Sequence, residues 1–266
     1  MSHLQALAAA GAALVAGVML ALWLVGIRIR NMSVVDIGWA ANFTLLALVD
    51  GLAGDGLPAR RLLAGAMFVL WSLRLSIHLA RRIVGEPEEG RYVELRRRFG
   101  AGGGRVNLRF LGFFQLQAAL NVLLALPLLA AAENPAPAIR PLEWFALGLW
   151  CVALAGESLA DRTLARFRAD PANRGRVCAA GLWRYSRHPN YFFEWALWVA
   201  YALLALASPP LGLAGPLLPV LMLYFLLRVT GIPATEAQAL RSRGAAYRDY
   251  QARTSAFVPW PPRAGR

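Results

Sequence analysis

The chain has 266 residues, of which 58% are hydrophobic, with a mean hydropathy of +0.46 and a formal net charge of +13. Its apolar residues come in long runs, which excludes an ordinary soluble domain. All 28 basic residues are arginine, and they gather in the connections between apolar runs, which excludes nucleic-acid binding as the meaning of the charge.

Seven apolar stretches approach the roughly 20 residues that a helix needs to cross a bilayer. They cover about 5–27, 33–50, 62–80, 110–132, 142–160, 190–207 and 210–227. The first ends at Arg28 and Arg30 and not at a small-residue cleavage site, so it reads as a retained span. Between the second and third, the segment from Asp50-Gly51 to Pro58 is turn-like. After the third, Glu94 to Phe99 continues a helical charge pattern and meets the breaker Gly100-Ala101-Gly102-Gly103-Gly104. Asn134-Pro135-Ala136-Pro137 punctuates the next connection. Residues 161–176 read as a polar extension of the fifth helix that stops at Asp170-Pro171. Ser208-Pro209-Pro210 makes a tight turn between the sixth and seventh. The tail from Ala234 to Arg253 reads as one or two amphipathic helices, followed by Phe257 to Pro262 at the membrane surface.

The arginines alternate with the connections. Those from Arg81 to Arg109, from Arg162 to Arg187, and from Arg228 onward lie on one side, while the intervening connections hold only Arg60, Arg61 and Arg140. The positive-inside rule then puts the N-terminus outside, the C-terminus in the cytoplasm and an odd number of spans between them. The expected fold is therefore all-α: a polytopic seven-transmembrane helix bundle whose cytoplasmic loops and C-terminal helices cover a nucleotide pocket. No repeat or linker divides it, so residues 1–266 are expected to form a single membrane-embedded domain. Cys151 and Cys178 lack metal-type spacing, and no disulfide or metal site is expected.

Polar side chains inside or at the mouth of membrane helices are costly unless they face protein, water or a ligand. Glu157 and Asp161 are four residues apart on one helical face, with Arg168 and Arg176 beyond them. Tyr185, Arg187, His188, Asn190, Tyr191 and Glu194 open the sixth stretch, and Arg228 and Glu236 follow the seventh. Any one of these arginines could simply meet lipid phosphate or a carboxylate. Together they supply guanidinium forks for phosphates, and carboxylates and an amide for ribose hydroxyls and a carboxamide. The chain has no GxGxxG, and its Gly-rich run lacks the Lys-Ser/Thr ending of a P-loop.

The run Gly181-Leu182-Trp183-Arg184-Tyr185-Ser186-Arg187-His188-Pro189-Asn190-Tyr191-Phe192-Phe193-Glu194 resembles the steroid 5α-reductase family and its bacterial relatives. These belong to a wider group of membrane enzymes that includes sterol reductases and isoprenylcysteine methyltransferases. The tail residues Glu236, Leu240, Gly244, Tyr247, Tyr250 and Pro259 extend the resemblance, which is strong over about 150–262. Over 1–110 it rests on Asp36-Ile37-Gly38-Trp39, Arg74-Leu75 and Arg91-Tyr92. The resemblance implies a multi-pass enzyme of a bacterial inner membrane, acting as a monomer, that transfers hydride from NADPH to the C=C bond of a lipophilic conjugated ketone such as a 3-oxo-Δ4 steroid or isoprenoid enone. Residues 142–262 would hold the cofactor through Glu157, Asp161, Arg168, Arg176, Tyr185, Arg187, His188, Asn190, Tyr191, Glu194, Arg228 and Glu236, and residues 1–110 the substrate side.

Two positions depart from the steroid reductases. Glu157 stands where they tend to have Asn, and Glu236 where they tend to have His. The second matches the methyltransferase and sterol-reductase relatives as well. The resemblance also calls for a Glu and Tyr pair in the N-terminal half, of which this chain has no clear copy. Asp36 is the nearest acid, Trp71 falls about where the Tyr would be, and Trp39 shares the face of Asp36, so Asp36, Trp39 and Trp71 are the catalytic candidates. The competing reading of Asp36 is an interhelical pair with Arg74, and His78 lies one turn beyond Arg74. An S-adenosylmethionine-dependent methyltransferase of the isoprenylcysteine type is the alternative function. A transporter is disfavoured because no inverted repeat is present.

Overall fold

A computed structural model describes residues 2–100, 103–229 and 231–263. Among them the regular structure is helical, with no named strand. The helices are α1 (His3–Ile29), α2 (Val34–Ala53), α3 (Pro58–Ile83), α4 (Gly90–Phe99), α5 (Gly104–Leu124), α6 (Leu126–Ala132), α7 (Pro141–Ala169), α8 (Pro189–Leu206), α9 (Leu217–Tyr224) and α10 (Ile232–Arg253).

Local chemistry sets many of the boundaries. Ser2 caps α1 in a capping box with Gln5, satisfying amide donors that the first turn leaves over. Pro58 opens α3, where a missing N–H costs nothing. α4 stops at Gly100, whose φ of 107° lies in the region that only glycine enters freely. α7 runs 29 residues to Ala169 and stops before Asp170-Pro171, as the sequence implies. α10 is kinked at Gly244, where φ is 53°.

Among the described residues, five helices are long and apolar enough to cross a membrane, and a sixth span results if α5 and α6, which meet at a bend of 43°, count as one. The protein is thus multi-pass. The expected count of seven exceeds this by α8: the helix occupies the predicted 190–207, but Asn190 and Glu194 in its first turns and its Trp and Tyr residues reduce its apolarity. The last span lies in the stretch Leu211–Arg253, whose apolar part ends before Arg228. It passes through a π-helical turn at Phe225–Val229.

The chain divides into two compact units, Met1–Arg140 with Ala207–Leu213, and Pro141–Leu206 with Ala214–Arg266. In the first unit α2 packs on α1 and α3, and α1 packs on α5. Gly38 permits the α1–α2 approach, since a Cβ there would fall 2.0 Å from Leu22 Cδ1. Buried polar groups close on one another: Asn42 donates to Asn121 Oδ1 at 2.9 Å, and Asn121 donates to the Trp39 carbonyl at 2.9 Å. Arg60, wholly buried, donates to the carbonyls of Asn134, Ala136 and Ala138, fastening the loop that follows α6. Without such partners a buried guanidinium would carry an uncompensated desolvation cost.

In the second unit the main packing is α7 against α8, with α9 beside α8. Gly156 receives the Phe193 ring so closely that a Cβ there would fall 2.5 Å from ring carbons. Gly156→Ala gains roughly 1 kcal/mol of helix propensity but overpacks by about 1–3 kcal/mol. We expect a lower thermal midpoint in detergent for Gly156→Ala, restored by adding Phe193→Leu. A midpoint at or above wild type would refute this packing.

Candidate functional site

The loop Gly181–Arg184, a 3-10 turn that precedes α8, lies between α7 and the C-terminal tail. Gly181 enters it at φ 55°. Trp183 is buried and its indole donates to the Ala160 carbonyl of α7 at 2.9 Å. The Tyr250 hydroxyl of α10 donates to the Trp183 and Ser186 carbonyls. Ser186, fully buried, donates from Oγ to the Phe257 carbonyl at 2.8 Å and forms a parallel bridge with Ser255. Trp260 N donates to the Tyr185 carbonyl at 2.9 Å. Phe257 packs edge-on against Phe192 and Trp195 of α8. Phe257 to Pro262, expected at the membrane surface, is thus tied to Tyr185 and Ser186 by one backbone and one side-chain hydrogen bond.

At the centre is Glu236. Its Oε1 accepts from Arg187 Nε at 2.7 Å and lies 3.2 Å from His188 Nε2, and its Oε2 accepts from Gln251 at 2.8 Å. The same Arg187 donates from Nη1 to the carbonyls of Gln251 and Thr254 at 3.0 and 2.7 Å. Burial works against the Glu236 charge, but the hydrogen bond and charge of Arg187, then Gln251 and His188, outweigh it and hold the carboxyl below its usual pKa. His188 is 2% exposed. Burial, the largest influence, lowers its pKa below 6.5 against the pull of Glu236. Its ring is therefore neutral at pH 7, Nε2 carries the proton toward the carboxylate, and the face stacks on Tyr191 at 5.4 Å.

Beyond this hub, Asn190 Nδ2 donates to Asp161 Oδ1 at 3.3 Å, joining α8 to α7. The Tyr191 hydroxyl lies 3.2 Å from Thr235 Oγ1. Glu157 is buried in α7, one turn before Asp161. Glu194 accepts from the Trp198 indole at 3.0 Å. Arg168 is exposed on the last turn of α7. Arg176 is also exposed, and its carbonyl accepts from Arg243. Arg228 is exposed in the π-helical turn, and Tyr185 is exposed on the loop. The structure thus joins Arg187, His188 and Glu236 in one cluster and Asp161 and Asn190 in another. A cavity of about 320 Å³ opens beside Arg187, and Arg187 alone among the predicted cofactor residues lines it. Gln251 and Thr254 escaped the sequence reading; their partners lie on a separate segment.

In the first unit, Trp71 is fully buried and meets Trp39 edge-on at 6.4 Å and Phe43 at 5.2 Å. Asp36 is bound from α4, not by the Arg74 of the competing reading: Tyr92 donates its hydroxyl to Asp36 Oδ1 at 2.6 Å, and Arg91 Nη2 pairs with Oδ2. Arg91 also bonds Glu89 at 3.0 Å, and Glu89 N donates to Ser33 Oγ at 2.9 Å. Burial first, then the Asp36 charge, push the Tyr92 hydroxyl far above its usual pKa, so it remains a donor. An acid and tyrosine pair therefore exists in the N-terminal half, built from Asp36 and Tyr92. Its signal was the Arg91-Tyr92 dipeptide, which hydropathy could not connect to α2.

Residues 22–254 match the family described as protein of unknown function (DUF1295). The chain belongs to this family. The family lies in the steroid 5α-reductase-like superfamily. The chain is also similar to an uncharacterised protein of Schizosaccharomyces pombe, 29% identical over 216 residues, 71% of this chain. The alignment spans 62% of that relative's length. No solved structure matches the chain.

His188 gives a pH test. Its folded pKa lies below the unfolded 6.5, so the unfolded chain binds more protons as pH falls, and folded stability drops below about pH 6.5. The contribution is fully present above pH 6.5 and lost as pH falls toward the folded value. Between pH 7.5 and 5.5 the thermal midpoint of wild type should fall further than that of His188→Gln. Parallel falls would mean that His188 titrates freely.

Proposed function

We propose that this protein is an NADPH-dependent reductase that transfers hydride to the C=C bond of a lipophilic conjugated ketone. The observation that carries the reading is the meeting of Asp161 and Asn190, residues 29 apart, beside a loop held rigid by the Glu236 cluster. That pairing puts a carboxylate and an amide at one place, suited to ribose hydroxyls and a nicotinamide carboxamide. The exposed guanidinium groups of Arg168, Arg176 and Arg228 suit the phosphates. The donor set therefore fits the cofactor, and membership of the superfamily supports the same reading.

When bound, the nicotinamide supplies the hydride. The protein's own task is to hold the cofactor, exclude water and stabilise the enolate oxygen that forms on the substrate. Arg187 and His188 act in this reading by positioning: each is engaged with Glu236 and fixes the loop leading into α8, whose first turn carries Asn190. Asp36 and Tyr92 supply the acid and tyrosine pair that such chemistry uses, with Tyr92 as the protonated donor. The C-terminus lies in the cytoplasm in this reading, where NADPH is available, and the membrane is a bacterial inner membrane.

Purified protein in detergent tests the cofactor directly. NADPH should raise the thermal midpoint and S-adenosylmethionine should not; the reverse result would replace the reductase with a methyltransferase. Arg176→Ala should weaken NADPH more than NADH if that side chain holds the 2′-phosphate, and equal losses would assign it another role. In a screen of ketosteroids and other enones for NADPH oxidation, Asp36→Asn and Tyr92→Phe should each lower turnover by roughly 10²-fold with little change in NADPH affinity. Unchanged turnover would leave the pair as the fastening of α4 to α2.

A further inference from the structure

The cavity beside Arg187 is chemically unlike the rest of the site. Arg187, Arg253, Thr254, Ser255, Trp260 and Arg263 line it, and among the described residues its lining contains no carboxylate. Arg187 is neutralised by Glu236 at 2.7 Å. Arg253 and Arg263 add two further positive charges. The Arg253 guanidinium donates only weakly, at 3.4 Å, to the Asp249 carbonyl of its own helix. Thr254, Ser255 and Trp260, residues whose side chains carry neutral donors, belong to the same lining.

The cavity's depth relative to the lipid is set by its neighbours. Phe257, in the same tail, packs on Phe192 and Trp195 in the first two turns of α8. Trp260 and Val258 expose 68% and 52% of their surface. Arginine beside exposed Trp, level with the mouth of an apolar helix, is the composition of the membrane–water interface.

We propose that this cavity binds a phosphate group at the membrane interface, with the two guanidinium groups of Arg253 and Arg263 as its cationic ligands. Its ligand chemistry is that of a phosphate mono- or diester, carried by an anionic lipid headgroup or by a soluble phosphate ester. The backbone that shapes the cavity does not depend on those side chains: Arg263 N donates to the Arg253 carbonyl at 2.9 Å, and Trp260 N to the Tyr185 carbonyl. The double variant Arg253→Gln/Arg263→Gln should therefore fold.

The test uses the full-length protein without NADPH. In one arm, native mass spectrometry compares retention of phosphatidylglycerol and phosphatidylcholine, at low and high salt. In the other, glycerol 3-phosphate is titrated in a thermal-shift assay. A salt-sensitive preference of wild type for phosphatidylglycerol, weakened about ten- to thirtyfold in the double variant, supports the site and names lipid as its source. Stabilisation by glycerol 3-phosphate in wild type but not in the variant, without lipid preference, supports it with a soluble source. If wild type shows neither response, or the double variant keeps both unchanged, the proposal is overturned. The wild-type comparison of the two lipids at two salt concentrations stands even if the variant fails to fold.

Discussion

Glu236 accepts from three side chains that arrive from two separated parts of the chain, Arg187 and His188 before α8 and Gln251 at the end of α10. A partly buried carboxylate with one donor would be poorly compensated for lost hydration; with a guanidinium and two further donors it is held ionised. The geometry of the loop follows from this charge. Arg187 is stretched between the carboxylate and two carbonyls of the tail, Ser186 is bridged to Ser255, and the helix start that carries Asn190 is fixed beside α7. The tail is in turn the wall of the basic cavity, so one carboxylate organises both the loop and that wall.

The first unit obeys the same constraint with different residues. Where lipid surrounds the helices, a polar group must find its partner inside the protein. Arg60 takes three carbonyls of one loop, Asn42 and Asn121 take each other, and Asp36 takes Arg91 and Tyr92. The last grouping also secures α4, a short and highly charged helix whose remaining arginines pair with Glu88 and Glu94. α4 has little apolar surface of its own, so the Arg91–Asp36 and Arg96–Glu88 pairs and the burial of Tyr92 give it a fixed place.

The two positions that depart from the steroid reductases have different meanings in the fold. Glu157 is a buried residue of the α7 face one turn from Asp161. Glu236 binds protein donors on both of its oxygens, so its substitution for His concerns the architecture of the loop first. A carboxylate there demands the Arg187 fork, and the neutral His188 completes its coordination. The most polar residues of the loop thus bind one another.

The apolar runs, the long polar extension of α7 and the stop at Gly100 were legible in the chain, because hydrophobic period, proline and glycine act locally; the bend between α5 and α6 and the π-helical turn after α9 were not, and the tail was left open as one or two helices. The grouping of Asp161 with the residues around Asn190 was legible from their shared place at helix ends. Partner choice was not. Asp36 could have met Arg74 by span position, yet it meets Tyr92, 56 residues away, and Arg187 meets Glu236 across 49 residues. Such pairings depend on how helices cross and on which guanidinium reaches which carboxylate, and neither hydropathy nor periodicity carries that information. The sequence alone therefore determined a multi-pass helical protein with its polar chemistry at the helix ends. Tertiary packing decided which of those groups are spent on one another, because that depends on how the helices cross.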